Sequence, residues 1–154
     1  MADLQTEIKQ TKPFTSLTAE ALLSVLRTAA VLEHHLSEAL KPYGITHTQY
    51  NVLRILRGAG ATGLCGREVA ERLVSKVPDV SRLLDRMVDM QLVDRERDPV
   101  DRRHVTARIS SKGLRVLEQA TPQLAAVERT RFAGLEPERL KLLIESLAQI
   151  RERL

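Results

Sequence analysis

The chain has 154 residues, 43% hydrophobic and 29% charged, with a net charge of +4. That is the size and balance of one soluble globular domain with its own core, and no apolar run approaches the roughly 20 residues of a bilayer span. Aromatic residues are 3% with no Trp, so Leu, Val, Ile and Ala must build the core, a composition that favours helices over a β-sandwich.

Residues 1–16 are polar and broken by Pro13, and read as a loose arm. From Leu17 the period becomes helical: Leu22, Leu26, Ala29, Leu32, Leu36 and Leu40 form one apolar stripe, ended by Pro42 and Gly44. Thr46 and Gln49 then form a capping box, with Ile45 and Tyr50 as a hydrophobic staple. The helix they start runs through Val52, Leu53 and Leu56 and is expected to stop at Gly58. Gly58 to Gly66 reads as a glycine-rich connection.

A short helix over Arg67–Leu73 follows, and another is expected to begin near Pro78, whose missing N–H costs nothing in a first turn. That second helix carries Val80, Leu83, Leu84, Met87 and Val88 on one side and Asp79, Ser81, Arg82, Asp85 and Arg86 on the other. Two short helices joined by a tight turn, the second with a polar outer face, describe a helix-turn-helix. Val105, Ala107 and Ile109 then alternate with Thr106 and Arg108, the pattern of a half-buried strand, and Leu92 to Arg97 can pair with it. Between them, Asp98 to His104 is a charged turn: a β-hairpin with a long tip, or wing.

Ser110 caps a helix through Leu114, Leu117, Ala120 and Leu124, which Pro122 is expected to kink. Pro137 starts a last helix carrying Leu140, Leu143, Leu147, Ile150 and Leu154. The terminal stripes exceed what one small winged domain can cover, so they are expected to pack on a second copy. Between Arg95 and Arg115 seven Arg or Lys face three acids, a surplus equal to the whole net charge. Positive charge so concentrated is the footprint of a nucleic-acid surface.

The run Leu83-Leu84-Asp85-Arg86-Met87, the segment Asp98-Pro99-Val100-Asp101-Arg102-Arg103 and the start Ile109-Ser110-Ser111-Lys112-Gly113 together resemble the MarR family of bacterial regulators. The resemblance covers about residues 17–154. It implies a mainly α fold with a small β-hairpin wing (α+β), a winged helix-turn-helix between N- and C-terminal dimerisation helices. The arm is 1–16 and the single domain 17–154, with dimerisation helices at about 17–41 and 111–154 and the winged helix-turn-helix at about 46–110. It further implies a homodimer on a palindromic double-stranded DNA operator. Family members usually repress genes, and many release DNA on binding small phenolic or lipophilic molecules or on cysteine oxidation. Where many members place Thr or Ser at the start of the third helix, this chain has Cys65.

In a helix-turn-helix the second helix enters the major groove, where base edges can be told apart. Arg82 is placed to fork onto a guanine and Arg86 to reach phosphate; Asp79 and Ser81 lie near the helix start, and Lys76 in the turn is a phosphate contact. At the wing, Arg102 and Arg103 are expected to reach a minor groove, with Asp101 bracing them. In isolation Asp79, Arg82, Asp85 and Arg86 read rather as a solvated face of ion pairs; set in a helix-turn-helix before a basic wing, they read as a DNA contact.

His34 and His35 point about 100° apart on one helix and suit no single zinc ion, so no metal is expected. They, with Tyr43, Tyr50 and Arg54, are candidates for a ligand pocket between the dimer helices and the DNA-reading part, although Tyr50 also serves as the staple. Cys65 is a candidate redox residue at a helix start, or a small residue acting as a poor cap. The lone cysteine and the polar opening Met1-Ala2-Asp3-Leu4-Gln5 point to the cytoplasm. No cofactor is implied. A regulator sensing oxidants through Cys65 and a helical protein-binding adaptor are the alternatives; no phosphate loop, metal spacing or nucleophile–base pair suggests an enzyme.

Overall fold

A computed structural model describes residues 3–97 and 105–152. The expected wing tip, with Asp101, Arg102, Arg103 and His104, lies outside the described residues, as does Leu154. The arm contains one helical turn, α1 (Leu4–Glu7), capped where the Thr6 N–H donates to Asp3 Oδ1 at 2.8 Å. It is less loose than its composition suggests, because Arg27 Nε reaches Glu7 Oε1 at 2.8 Å and ties it to the next helix.

That helix, α2 (Leu17–Leu40), starts where Ser16 Oγ accepts from the Ala19 N–H at 3.1 Å. A 3-10 turn over Lys41–Tyr43 and Gly44 redirect the chain. The helix α3 (His47–Ala59) has the complete capping box: the Gln49 N–H donates to Thr46 Oγ1 at 3.2 Å and the Thr46 N–H to Gln49 Oε1 at 2.9 Å. It continues past Gly58, and Gly60 closes it. The expected stop falls short because nothing at Gly58 requires a non-helical backbone, whereas Gly60 has a φ of 62°.

The glycine-rich connection hides a strand. β1 (Leu64–Cys65) pairs antiparallel with β3 (Val105–Ile109), which pairs antiparallel with β2 (Val93–Arg97), giving the order β1-β3-β2. Leu64 lies opposite Ala107 and Cys65 opposite Thr106. Gly63 allows this approach: its φ is 67°, and a Cβ there would lie 2.6 Å from the Ala107 carbonyl oxygen. The expected hairpin has the register Val93 to Ile109 and Arg97 to Val105.

Two short helices, α4 (Gly66–Arg72) and α5 (Val80–Asp89), lie between β1 and β2. The helix α6 (Ser111–Phe132) follows β3 and runs through Pro122; the Thr121 hydroxyl donates to the Leu117 carbonyl at 2.7 Å just before it. At its start Ser110 Oγ accepts from the Gly113 N–H at 2.9 Å and donates to the Gln91 carbonyl at 2.7 Å. The glycine is obligatory here: an added Cβ would sit 2.2 Å from the Leu92 carbonyl oxygen. The last helix is α7 (Pro137–Glu152).

One core joins α3, α4, α5, the sheet and α6. Leu53, Leu56, Val69, Leu84, Met87 and Leu117 are fully buried in it, with Leu40 arriving from the end of α2. Each such side chain contributes about 1.5–3 kcal/mol by leaving water. The two terminal helices differ. Leu17, Leu22 and Leu26 on the first half of α2 are exposed, and α7 has no buried residue. Beyond the expected stripe, α7 also exposes Leu142 and Ile144, so it is apolar on more than one side, the pattern of a helix meant to be enclosed. Among the described residues no helix is long and apolar enough to cross a membrane.

Candidate nucleic-acid interface

The turn between α4 and α5 is held from below, the Val74 N–H donating to Asn51 Oδ1 of α3 at 3.0 Å. The helix α5 starts at Val80, two residues later than Pro78 suggested, because Asp79 is its cap: the Arg82 N–H donates to Asp79 Oδ1 at 2.9 Å. The Asp79 carboxylate therefore fixes where the helix begins, a role stated for it neither as a contact nor as an ion-pair partner. Leu84 and Met87 anchor the helix in the core at 0% exposure, and this settles which face looks outward: Ser81, Arg82, Asp85 and Arg86 are all exposed. Arg82 and Arg86 stand one turn apart on that face. Lys76 is exposed in the turn before it.

Beside α5 stands the hairpin, and a groove of about 620 Å³ separates them, lined by Ser81, Asp85, Val88, Arg95, Arg97 and Val105 among others. Part of the basic surplus is internally committed. Arg95 pairs with Asp85, Arg108 Nη1 with Glu96 Oε2 at 2.7 Å, and Lys112 Nζ donates to the Met90 carbonyl at 2.9 Å. Arg97 and Arg115 are exposed, so the cationic surface is narrower than the count from Arg95 to Arg115 suggests.

Cys65 is half-buried at the start of α4. Its N–H donates to Glu68 Oε2 at 2.8 Å, and this bond holds the Glu68 carboxyl below its ordinary pKa. Glu68 thus satisfies the N–H of Cys65, the returning half of a capping box at the start of α4.

The pocket candidates separate. A cavity of about 130 Å³ between α2, α3 and α6 is lined by Tyr50 and Arg54 together with His47, Glu128, Phe132 and aliphatic residues such as Leu36. The Tyr50 hydroxyl lies 3.1 Å from Thr121 Oγ1, and His47 Nδ1 is 2.7 Å from Glu33 Oε2. His34, His35 and Tyr43 are not in this lining. His35 instead turns to Arg131 of α6, and burial, then the Arg131 charge, lower its pKa. The rings of His34 and His35 sit edge to face with centroids 5.4 Å apart. His47, Glu128 and Phe132 escaped the sequence reading; the only signal for His47 was its place at the first position of a capped helix.

The profile of the MarR family matches residues 43–104, from the end of the 3-10 turn to the residue before β3. The HTH-type transcriptional regulator YkoM of Bacillus subtilis (strain 168) is 30% identical over 115 residues, covering 75% of this chain and 73% of its own. Sco3205, a MarR family transcriptional regulator from Streptomyces coelicolor solved in complex with DNA, is 28% identical with a TM-score of 0.80, covering 94% of this chain and 93% of its own. The organohalide-sensing regulator RdhR, in its 2,4-dichlorophenol-bound form, shares the fold at a TM-score of 0.83 and 19% identity, covering 94% of this chain and 87% of its own. The chain belongs to the MarR family of transcriptional regulators.

Proposed function

We propose that the protein is a sequence-specific double-stranded DNA-binding regulator, a homodimer that represses transcription, is released by a small ligand, and does no chemistry of its own. The observation that carries this is the face of α5: Leu84 and Met87 lock the helix in the core while Ser81, Arg82 and Arg86 are presented to solvent beside the hairpin. A helix so held enters the major groove as a rigid reader. Lys76 and Arg86 take phosphates, Arg82 takes a guanine edge, and Arg102 and Arg103 with Asp101 serve the wing. That a MarR regulator 28% identical to this chain was solved with DNA supports the assignment.

The dimer rests on the unburied apolar surface of α2 and α7. Leu17 is 82% exposed, Leu142 64% and Ile144 63%; large apolar side chains left exposed on both helices favour an interface there. The terminal helices, 17–41 and 111–154, form it, and residues 46–110 form the DNA-reading part. The effector is a small phenolic or lipophilic molecule in the cavity beside Tyr50 and Arg54, a class supported by the dichlorophenol held by RdhR. Its place of action is the cytoplasm, where its DNA is.

Titration of two variants against operators changed one base pair at a time tests the reading. Arg82→Ala should lose about 1–3 kcal/mol and relax preference at one base per half-site. Arg103→Ala should weaken binding with little change of preference outside narrow-groove steps. Equal, small losses for both on every sequence would remove α5 from the interface.

A further inference from the structure

The Arg95–Asp85 pair joins the two parts of the interface that must act together. Arg95 projects from β2 and Asp85 from the second turn of α5, and the pair spans the groove between helix and hairpin. The Arg95 side chain is 21% exposed and that of Asp85 62%, so the arginine belongs to the hairpin's packed base and the carboxylate is its reach onto the helix. On its other flank the hairpin is held by Arg108, whose Nε donates to the Ala61 carbonyl at 2.7 Å and whose Nη1 meets Glu96. Arg108 thus fixes the sheet to the connection after α3, and Arg95 fixes it to α5.

With α5 in a major groove and the hairpin over the neighbouring minor groove, the sugar–phosphate strand between the two passes over this gap. A bare carboxylate there repels phosphate; paired to Arg95 it is neutralised. The gap's width also decides whether helix and hairpin reach both grooves at once. We propose that Asp85 and Arg95 are positioning residues that set the distance between recognition helix and wing, and so convert two separate contacts into one specific one. This rests on the DNA-binding reading above.

The proposal predicts the opposite sign from charge counting. Asp85→Asn removes a negative charge from a DNA-facing groove and keeps the side chain's shape, so electrostatics alone makes every duplex bind tighter. Loss of positioning makes the operator bind more weakly and leaves other DNA unaffected.

The test uses the full-length protein, a duplex recovered from genomic fragments by selection with the wild type, and a scrambled duplex of equal length and composition, at two salt concentrations. Asp85→Asn should bind the operator about fivefold more weakly, the scale of a well-placed ion pair, and the scrambled duplex no more weakly, with an unchanged salt slope. Asp85→Glu should restore operator affinity, and Asp85→Asn combined with Arg95→Met should be no worse than Arg95→Met alone, since one link is broken in both. In the free protein, Asp85→Asn should speed amide exchange of Val93–Arg97. Operator binding equal to or tighter than wild type, equal weakening on both duplexes, or unchanged exchange overturns the proposal. A wild type that does not prefer the operator overturns the DNA-binding reading itself, and the proposal with it.

Discussion

Replacing Gly113 by Ala adds one methyl group, and the structure puts that carbon 2.2 Å from the Leu92 carbonyl oxygen, 3.0 Å from Ile109 Cγ1 and 3.1 Å from Leu53 Cδ2. The backbone oxygen cannot turn away, because Leu92 lies at the base of the hairpin and its carbonyl accepts from the Ser110 N–H at 3.1 Å. The start of α6 must therefore move by about an ångström relative to the sheet. Overpacking of this kind costs about 1–3 kcal/mol, and displacing the Ser110 cap adds about 1 kcal/mol. The better helix propensity of Ala returns at most about 1 kcal/mol. The net expectation is a loss of about 1–3 kcal/mol, or roughly 2–10 °C in a chain of this size. Gly58→Ala is the internal control: it lies within α3 with nothing within 4 Å of an added Cβ, so it should stabilise by about 0.5–1 kcal/mol. Both are read by urea denaturation at one fixed protomer concentration, since association shifts the apparent value. A Gly113→Ala variant within about 0.5 kcal/mol of wild type would refute the close approach.

Leu142→Asp with Ile144→Asp alters side chains exposed in the protomer; sedimentation should then show a folded monomer with no specific DNA binding, and a dimer would place the interface elsewhere. Peroxide should leave DNA affinity unchanged, because Cys65 is taken as structural; a loss absent from Cys65→Ser makes the protein a redox sensor. Because burial and Arg131 hold the His35 pKa below its ordinary value, the unfolded chain binds the extra proton first as pH falls. Stability should therefore decline through the window between the ordinary histidine value and the lowered one, and His35→Gln should flatten that decline; an unaltered profile removes His35 from the account.

Local rules were legible wherever partners lie within a turn of one another. Thr46 with Gln49 and Ser110 with Gly113 announce helix starts, and the alternation from Val105 to Ile109 announces a strand, since each is decided by spacing. Partnerships across the chain were not. Leu64 and Cys65 become a strand only because Ala107 and Thr106, more than forty residues later, offer them a free edge, and two residues carry no period. Arg95 and Arg108 counted as surface charge until Asp85, Glu96 and the Ala61 carbonyl came within reach. The cavity draws His47, Tyr50, Glu128 and Phe132 from two helices whose relative placement is a packing outcome. His34 and His35 are expected from their helix to line a pocket between the dimer helices and the DNA-reading part, yet His35 turns to Arg131 and neither lines the cavity beside Tyr50.

The central claim is that two copies present two α5 helices to one duplex, and hydroxyl-radical footprinting of a fragment selected from genomic DNA tests it most directly. The account predicts two-fold-symmetric protection with half-site centres about one helical turn, roughly 10 base pairs, apart, weakening steeply with salt as phosphate contacts release counterions. A single asymmetric protected patch bound by a monomer, or selection that enriches no sequence, would contradict it.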